Sequence, residues 1–177
     1  MEEVIVKAFE TEDRKVLMDE IMNRYGQDIL RLVYSYVNNK ELAEDLTQDI
    51  FVKCYKSLHT YKGKSSLRTW LWRIAINHSK DFLKSWYNKH VVISEEQPIT
   101  HRTTKEMVEQ VVIQKEEDDQ LISALLTLPI KYREVIYLFY YEELLIKEIA
   151  VITGASVNTV KTRLRRAKEL LKERLEA

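Results

Sequence analysis

Side chains that can bind phosphates and base edges recur on one side of a segment near the C-terminal end of the chain. On a helical wheel with Val160 at the origin and about 100° per residue, the apolar residues of this segment fall together and the polar residues fall opposite. Cations neutralise phosphates, and arginine, asparagine and threonine can hydrogen-bond to base edges. The pattern predicts a helix that enters the major groove of DNA. Its candidate contacts are Asn158, Lys161, Thr162, Arg163, Arg165 and Arg166, with Arg163 on the flank and suited to backbone phosphates.

The residues before this helix have the pattern of a helix-turn-helix. Ala150 is small where two helices must cross, Gly154 can supply the positive φ of a tight turn, and Ser156 stands where an N-cap belongs. Leu145 precedes the first helix in place of a hydroxyl cap, so a ragged start is expected there. A basic, solvated helix of a small bundle is the alternative, but the small residue, the glycine and the cap together favour DNA binding.

A second cluster lies in the N-terminal half, where acidic and amide side chains surround an exposed aliphatic one. A helical wheel over residues 43–58 places the apolar residues, including Cys54, on the other side. Such a face can dock a basic protein surface, although an ordinary solvated face has the same composition. The candidate docking residues are Asp45, Gln48, Asp49 and Val52.

A third cluster begins in a loop rich in lysine and serine and continues into an aromatic and basic helix. Trp70 and Leu71 are expected in the core, whereas Trp72 is expected to share an outward face with cations and an amide. Rings interleaved with cations suit melted, single-stranded DNA, and an aromatic core stripe is the alternative. The candidates are Tyr61, Lys62, Lys64, Ser65, Trp72, Arg73, Asn77 and Lys80.

Composition limits the class of protein that carries these clusters. The 177 residues include only 3 Gly and 2 Pro, which disfavours a turn-rich β protein. The 28 basic and 28 acidic residues balance, and this does not exclude DNA binding if the charges are segregated. The single cysteine excludes an internal disulfide, so a reducing cytosol is the default. No secretory signal and no apolar run of ~18 residues is visible, so a cytoplasmic protein without membrane insertion is expected.

An enzyme is the first alternative class, and the sequence offers little for it. No Gly-rich phosphate loop is present, and the histidines are too far apart in sequence to form a metal-ligand pair on one helical turn. No catalytic residue, metal or cofactor is therefore expected. A recombinase would need a nucleophile domain with strands, which the N-terminal half does not offer. The histidines are His59, His78, His90 and His101.

Helical periodicity dominates the N-terminal part, from about Val16 to Tyr87. Gly26 is a soft interruption, and Asn38-Asn39 is a predicted turn between two helices. Either Ser65 or Ser66 is a predicted cap for the helix that follows the basic loop.

The middle of the chain differs from both ends, because it is acidic and lacks amphipathic order. It is predicted to be a flexible linker, with a helix over about 104–114 as the alternative. Helical patterns return after it, separated by Pro129 and Gly154. The expected fold is all-α, with two small helical domains at 1–87 and 118–177 joined by the linker at 88–117.

Three runs in this order resemble one family. The run from Asp45 to Phe51 resembles the polymerase-docking helix of sigma region two. The run from Trp70 to Asn77 is similar to that family's helix for the minus-ten promoter element. Residues 128–168 resemble region four, which reads the minus-thirty-five element. The chain is thereby identified as a member of the extracytoplasmic-function sigma factors, the group IV members of the sigma-70 family.

The resemblance implies a sigma factor that directs transcription initiation at a specific set of promoters. It implies that Asp45, Gln48 and Asp49 dock on the clamp helices of the largest subunit of core RNA polymerase, with the polymerase flap as a further contact. It also implies an anti-sigma factor as a partner, which could hold the protein at the membrane. The remaining alternative is a two-domain helix-turn-helix regulator that binds promoter DNA without docking on polymerase.

For DNA, the resemblance divides the candidates between two promoter elements. Residues 61–66 would line a pocket for a flipped-out base, and the linker would thread the RNA-exit region of the polymerase. The minus-ten strand would be contacted by Arg73, Asn77 and Lys80. The minus-thirty-five element would be read by Lys161, Thr162, Arg165 and Arg166.

Overall fold

The computed structural model describes residues 14–91 and 116–176. All regular structure in these two ranges is helical, which confirms the predicted all-α class. The N-terminal half contains α1 (Arg14–Val37), α2 (Lys40–Ser57), a 3-10 turn (Leu58–Thr60) and α3 (Leu67–Val91). The C-terminal half contains α4 (Glu116–Leu126), α5 (Ile130–Ile136), a π turn (Tyr137–Tyr141), α6 (Ile146–Thr153) and α7 (Val157–Leu175).

The first three helices form a bundle whose packing outweighs a local helix breaker. Ile29, Ile50 and Leu71, one from each helix, are completely buried. Gly26 lies inside α1, so the predicted interruption there is wrong. A glycine in a helix interior costs only about 1 kcal/mol relative to alanine, and the apolar side of α1 on either side of it is held in the core. The length of α1 is therefore determined by packing rather than by local propensity.

Two short connections join these helices, and each is closed by a side chain. Asn38 adopts φ 49°, and Asn39 Oδ1 accepts a hydrogen bond from the Leu42 N–H at 2.9 Å, which confirms the predicted turn. Ser66 Oγ accepts from the Thr69 N–H at 3.1 Å, so Ser66 is the cap of α3. The connections fix where α2 and α3 begin.

The linker prediction can be compared with the structure only at its ends. Helix α3 continues to Val91, past the predicted linker start at residue 88, and α4 begins at Glu116. Residues 92–115 lie outside the described part of the chain, and with them the alternative helix at 104–114 and His101.

The predicted helix-turn-helix is confirmed at α6 and α7. Gly154 ends α6 with φ 70°, and Ser156 Oγ accepts from the Thr159 N–H at 3.1 Å at the start of α7. The ragged start expected at Leu145 is wrong. The Glu148 carboxylate accepts a hydrogen bond from the Leu145 N–H at 2.8 Å and so takes the part of the missing hydroxyl cap.

The two halves are packed against each other in this structure. Helix α6 lies against α3, and α5 lies against α1. Three charged side chains are buried among the residues of α5 and the turn after it: Arg133, Glu134 and Glu142. Buried charges need partners, and theirs come largely from the other half.

Candidate nucleic-acid interface

Helix α7 divides into an apolar and a polar side as predicted. Val160, Leu164 and Ala167 are buried against the rest of the C-terminal half. The opposite side is exposed and carries Asn158, Lys161, Thr162, Arg165 and Arg166. The turn and the cap before α7 thus present five of the six candidate residues to solvent, in the arrangement that a major-groove contact needs.

The two adjacent arginines of this side differ in their surroundings. The Arg166 guanidinium lies 3.0 Å from a Glu169 oxygen and 3.8 Å from Glu173. The hydrogen bond to Glu169 is the main reason that the pKa of Arg166 lies above its ordinary value. Arg165 forms no ion pair with any residue that the structure describes. Arg166 must break its ion pairs with these two carboxylates before it can bind DNA, whereas Arg165 has no such ion pair to break.

Arg163 is turned away from this side. Its side chain is partly buried, and its guanidinium lies 3.7 Å from a carboxylate oxygen of Glu134. The flank position predicted for it is therefore occupied by an ion pair within the chain.

The basic loop and α3 present only part of their candidate set. Lys62, Lys64, Arg73 and Asn77 are exposed, and Ser65 is half-buried. The Tyr61 ring is buried, and its hydroxyl donates to the Ser65 carbonyl at 2.7 Å, so it shapes the loop from within.

The outward orientation predicted for Trp72 is wrong. This side chain is fully buried, with its ring 5.7 Å from that of Tyr25 and the Arg68 guanidinium 5.0 Å above it. Helix α3 packs against α1, α2 and α6, so it needs apolar residues around more of its circumference than one side. The apolar run from Trp70 to Ile76, interrupted only by Arg73, is the sequence signal for this burial.

The acidic side of α2 is exposed as predicted. Asp45, Gln48 and Asp49 face solvent, and Val52 is 52% exposed among them. Asp49 lies 3.9 Å from Nε2 of His78, whose other ring nitrogen is 3.4 Å from the Lys53 ammonium. Burial, followed by the Lys53 charge, lowers the pKa of His78. This side combines charge with an exposed aliphatic centre, as a docking face does.

Sequence reasoning missed the polar contacts that join the two halves. Glu134 accepts a hydrogen bond from the Tyr36 hydroxyl at 2.6 Å and lies 2.7 Å from the Lys80 ammonium. Glu142 lies 2.6 Å from the Arg68 guanidinium. Burial raises the pKa of Glu142, and the hydrogen bond from Arg68 opposes this. These partners are 54 to 98 residues apart in sequence, so local periodicity carries no signal for them.

A largely apolar groove of about 900 Å³ lies between α1, α4, the π turn and α7. Leucine and tyrosine side chains form most of its lining, and three cations lie among them. Representative lining residues are Leu121, Tyr140, Arg31, Lys168 and Lys172.

Among residues 14–91 and 116–176, no group of three or more His, Cys, Asp or Glu side chains could hold a metal ion. No helix in the same ranges is long and apolar enough to cross a membrane.

An exposed basic helix in a helix-turn-helix, together with a basic loop on a separate three-helix bundle, defines a two-part helical protein that contacts DNA. The family model for Sigma-70 region 2 matches residues 21–87, and the model for Sigma-70 region 4 matches residues 118–171. RNA polymerase sigma factor SigV of Bacillus subtilis is 32% identical over 161 residues, covering 91% of this chain and 92% of its own. ECF RNA polymerase sigma factor SigM of the same organism is 33% identical, covering 88% and 93%.

Solved structures agree on the fold. CnrH in complex with the cytosolic domain of CnrY aligns with a TM-score of 0.72 at 22% identity, over 99% of this chain and 96% of that one. The Bartonella quintana sigma factor RpoE with the anti-sigma factor NepR aligns with a TM-score of 0.71 at 21% identity, over 90% and 96%. The chain belongs to the extracytoplasmic-function RNA polymerase sigma factors of the sigma-70 family.

Proposed function

We propose that this sigma factor reads two promoter elements with separate surfaces and acts by binding, not by catalysis. The exposed basic side of α7 is the observation that carries this proposal, because a formed turn and cap hold it in place for the minus-thirty-five element. Contact with the minus-ten element is assigned to the loop at 61–66 and to the exposed part of α3. The minus-ten candidates are Lys62, Lys64, Ser65, Arg73, Asn77 and Lys80, with Tyr61 shaping the loop; Trp72 is no longer among them.

Docking on core polymerase is assigned to the acidic side of α2, against the clamp helices of the largest subunit. Asp45, Gln48 and Asp49 supply charge and hydrogen bonding, and Val52 supplies an apolar centre. Charge complementarity of this kind governs the rate of encounter and the choice of partner. The C-terminal half would meet the polymerase flap.

Run-off transcription with added core polymerase tests the proposed promoter function, and charge-reversal variants in the same assay test the docking surface. The Asp49→Lys variant should lose transcription and co-elution with core polymerase, because it sets a cation against a basic surface. Asp19→Lys is the matched control, since it makes the same charge change on the exposed surface of α1. If Asp49→Lys transcribes as well as the control, docking does not involve this side of α2.

An anti-sigma factor is the proposed regulator and the proposed means of holding the protein at a membrane. The Bartonella RpoE is solved in complex with the anti-sigma factor NepR, and CnrH is solved in complex with the cytosolic domain of CnrY. In this chain the groove beside Leu121 has an apolar lining with three cations and one anion, Glu176, and its net positive charge suits an amphipathic segment that carries acidic residues.

A pull-down from uninduced cells tests this regulator. Leu121→Glu adds an anion to the groove lining and should lose the captured protein, because it repels the acidic segment. Val16→Glu, at an exposed position of α1 that does not line the groove, should retain it. Recovery of polymerase alone with wild type and both variants would contradict a dedicated inhibitor.

A further inference from the structure

A basic pocket of about 280 Å³ lies between α5 and α7, beside the exposed polar side of α7. Helix α5 packs directly against α7, so side chains of both helices line the pocket. The lining includes four cations and one carboxylate, that of Glu169, which leaves an excess of positive charge. The four cations are Lys131, Arg163, Arg165 and Arg166.

Two of these cations are already paired with carboxylates. The Arg166 guanidinium lies 3.0 Å from Glu169, and both side chains are about half exposed. The Arg163 guanidinium lies 3.7 Å from Glu134. Exposed ion pairs contribute little to stability, so an incoming anion can replace Glu169 beside Arg166.

The other two cations have no such partner. Neither Lys131 nor Arg165 forms an ion pair with a residue in the described part of the chain, and both side chains are exposed. The Lys131 ammonium lies 5.0 Å from the centre of the Tyr132 ring, which also lines the pocket. A lysine held over a ring keeps its charge and its hydrogen-bond donors for an anion. The pocket therefore combines two unpaired cations from two different helices.

The backbone of α5 fixes where Lys131 lies. The Pro129 carbonyl accepts hydrogen bonds from the N–H groups of Tyr132 at 2.9 Å and of Arg133 at 3.0 Å. Val135, one turn after Lys131, is fully buried. Lys131 therefore extends from a formed and anchored helix, so little backbone entropy is lost when its ammonium binds an anion.

The size and chemistry of the pocket favour a single phosphate group. Its volume lies below the range of about 300–1,000 Å³ that holds small organic ligands, and Tyr132 gives it little apolar wall for a base. Lysine and arginine contact the phosphates of DNA, and these contacts fix the orientation of a protein on the duplex. A duplex that is read by the exposed side of α7 has its backbone along the flanks of that helix, which brings a phosphate to the pocket.

We propose that this pocket binds one backbone phosphate of the minus-thirty-five element, and that Lys131 of α5 is a DNA contact outside the helix-turn-helix. Helices α5 and α7 then hold the same DNA strand together. Lys131 fixes the orientation of α7 in the groove and does not read the sequence. The proposal rests on the minus-thirty-five function assigned to α7 above.

The Lys131→Gln variant and promoter duplexes with single methylphosphonates test this contact, because each methylphosphonate removes the charge of one phosphate. Binding is measured with holoenzyme formed from core polymerase, with the substitution moved along the minus-thirty-five element. Wild type should bind about fivefold more weakly when one particular phosphate is neutral, as the loss of a partly exposed ion pair predicts. Lys131→Gln should lose about the same factor on unmodified DNA and little more at that phosphate. Lys131→Arg should restore the response.

The control is Lys15→Gln, which removes the same charge from an exposed position of α1 and should keep the wild-type response. Lys131→Gln should also lower the salt dependence of binding by about one unit and leave the ranking of promoter sequences unchanged. If it loses as much affinity as wild type at every methylphosphonate, Lys131 binds no DNA phosphate.

Two further outcomes separate the remaining explanations. Inorganic phosphate, compared with chloride at equal ionic strength, might distinguish Lys131→Gln from wild type when no methylphosphonate does. The pocket would then bind a free anion, and the assignment to DNA would be wrong. Failure of the wild-type protein in run-off transcription would instead contradict the promoter function itself.

Discussion

Lys80 and Glu134 form an ion pair across the two halves, with Nζ and Oε2 2.7 Å apart. The carboxylate is 2% exposed, whereas the lysine side chain is 33% exposed and reaches in from the edge. A fully exposed ion pair contributes little to stability, but removing the partner of a buried charge costs much more. Removing the Lys80 charge leaves a buried anion without its closest cation, whereas removing the Glu134 charge leaves a lysine that water can reach. The two changes therefore have different effects on stability.

The Lys80→Met variant should lower the free energy of unfolding by about 1–3 kcal/mol, because Glu134 keeps its hydrogen bond from Tyr36 but loses its closest cation. Urea denaturation measures this loss. Lys84→Met, on the exposed surface of the same helix, should stay within about 0.5 kcal/mol of wild type. Equal losses in the two variants would mean that the pair with Glu134 contributes nothing.

Glu142 gives the packed state a dependence on pH. Burial is the largest cause of its raised pKa, with Asp28 adding to it and Arg68 and Tyr137 opposing it. A carboxyl whose pKa is higher in the folded state than in the unfolded state stabilises the fold below its unfolded pKa, and this contribution is lost as pH rises through the folded pKa. His78, with a lowered pKa, acts in the opposite direction.

The comparison of wild type with Glu142→Gln isolates this contribution, because His78 is common to both proteins. As pH rises from about 4.5, the ordinary value for glutamate, towards 7, wild type should lose stability relative to the variant. Thermal unfolding across that range measures the difference. A constant difference between the two proteins over the whole range would show that Glu142 has the same pKa folded and unfolded.

Trp72 tests the correction to the minus-ten surface. Because this side chain is fully buried, Trp72→Ala should lower the free energy of unfolding by about 3–5 kcal/mol. Trp72→Phe should cost far less, since the indole N–H has no hydrogen-bond partner among the described residues. Tyr87→Ala, at an exposed aromatic on the same helix, is the control and should cost little. Weak promoter binding by a fully stable Trp72→Ala protein would restore the stacking role.

The sequence predicts what short-range patterns determine. Ser66 and Ser156 are recognisable as caps, and the polar side of α7 follows from its period, because a cap and an amphipathic helix depend on residues within a few positions of each other. The predictions for Gly26 and Trp72 are wrong because tertiary packing determines the conformation of the one and the orientation of the other. Glu134 could not be found at all, since its partners Tyr36 and Lys80 come from helices far away in the chain.

The last prediction separates base reading from phosphate anchoring on α7. Arg165 and Arg166 are exposed one turn beyond Lys161 and Thr162, so we expect them to reach base edges. Loss of a bidentate base contact costs about 1–3 kcal/mol and relaxes selection at one position. Arg166→Ala should therefore change which minus-thirty-five sequences are used. Arg165→Ala should change them more strongly, because Arg165 has no ion pair to break before it binds DNA.

Arg163 should behave differently, because it lies on the flank of α7 and its charge is shared with Glu134. Arg163→Ala should reduce output from all promoters alike and lower the salt dependence of binding by about one unit, as the loss of one phosphate contact does. Transcription from a promoter library randomised in the minus-thirty-five element measures both effects, and Lys172→Ala, exposed in the last turn of α7, is the control. If Arg163→Ala reorders the promoters while Arg165→Ala and Arg166→Ala leave their ranking unchanged, α7 enters the groove with a different side from the one assigned here.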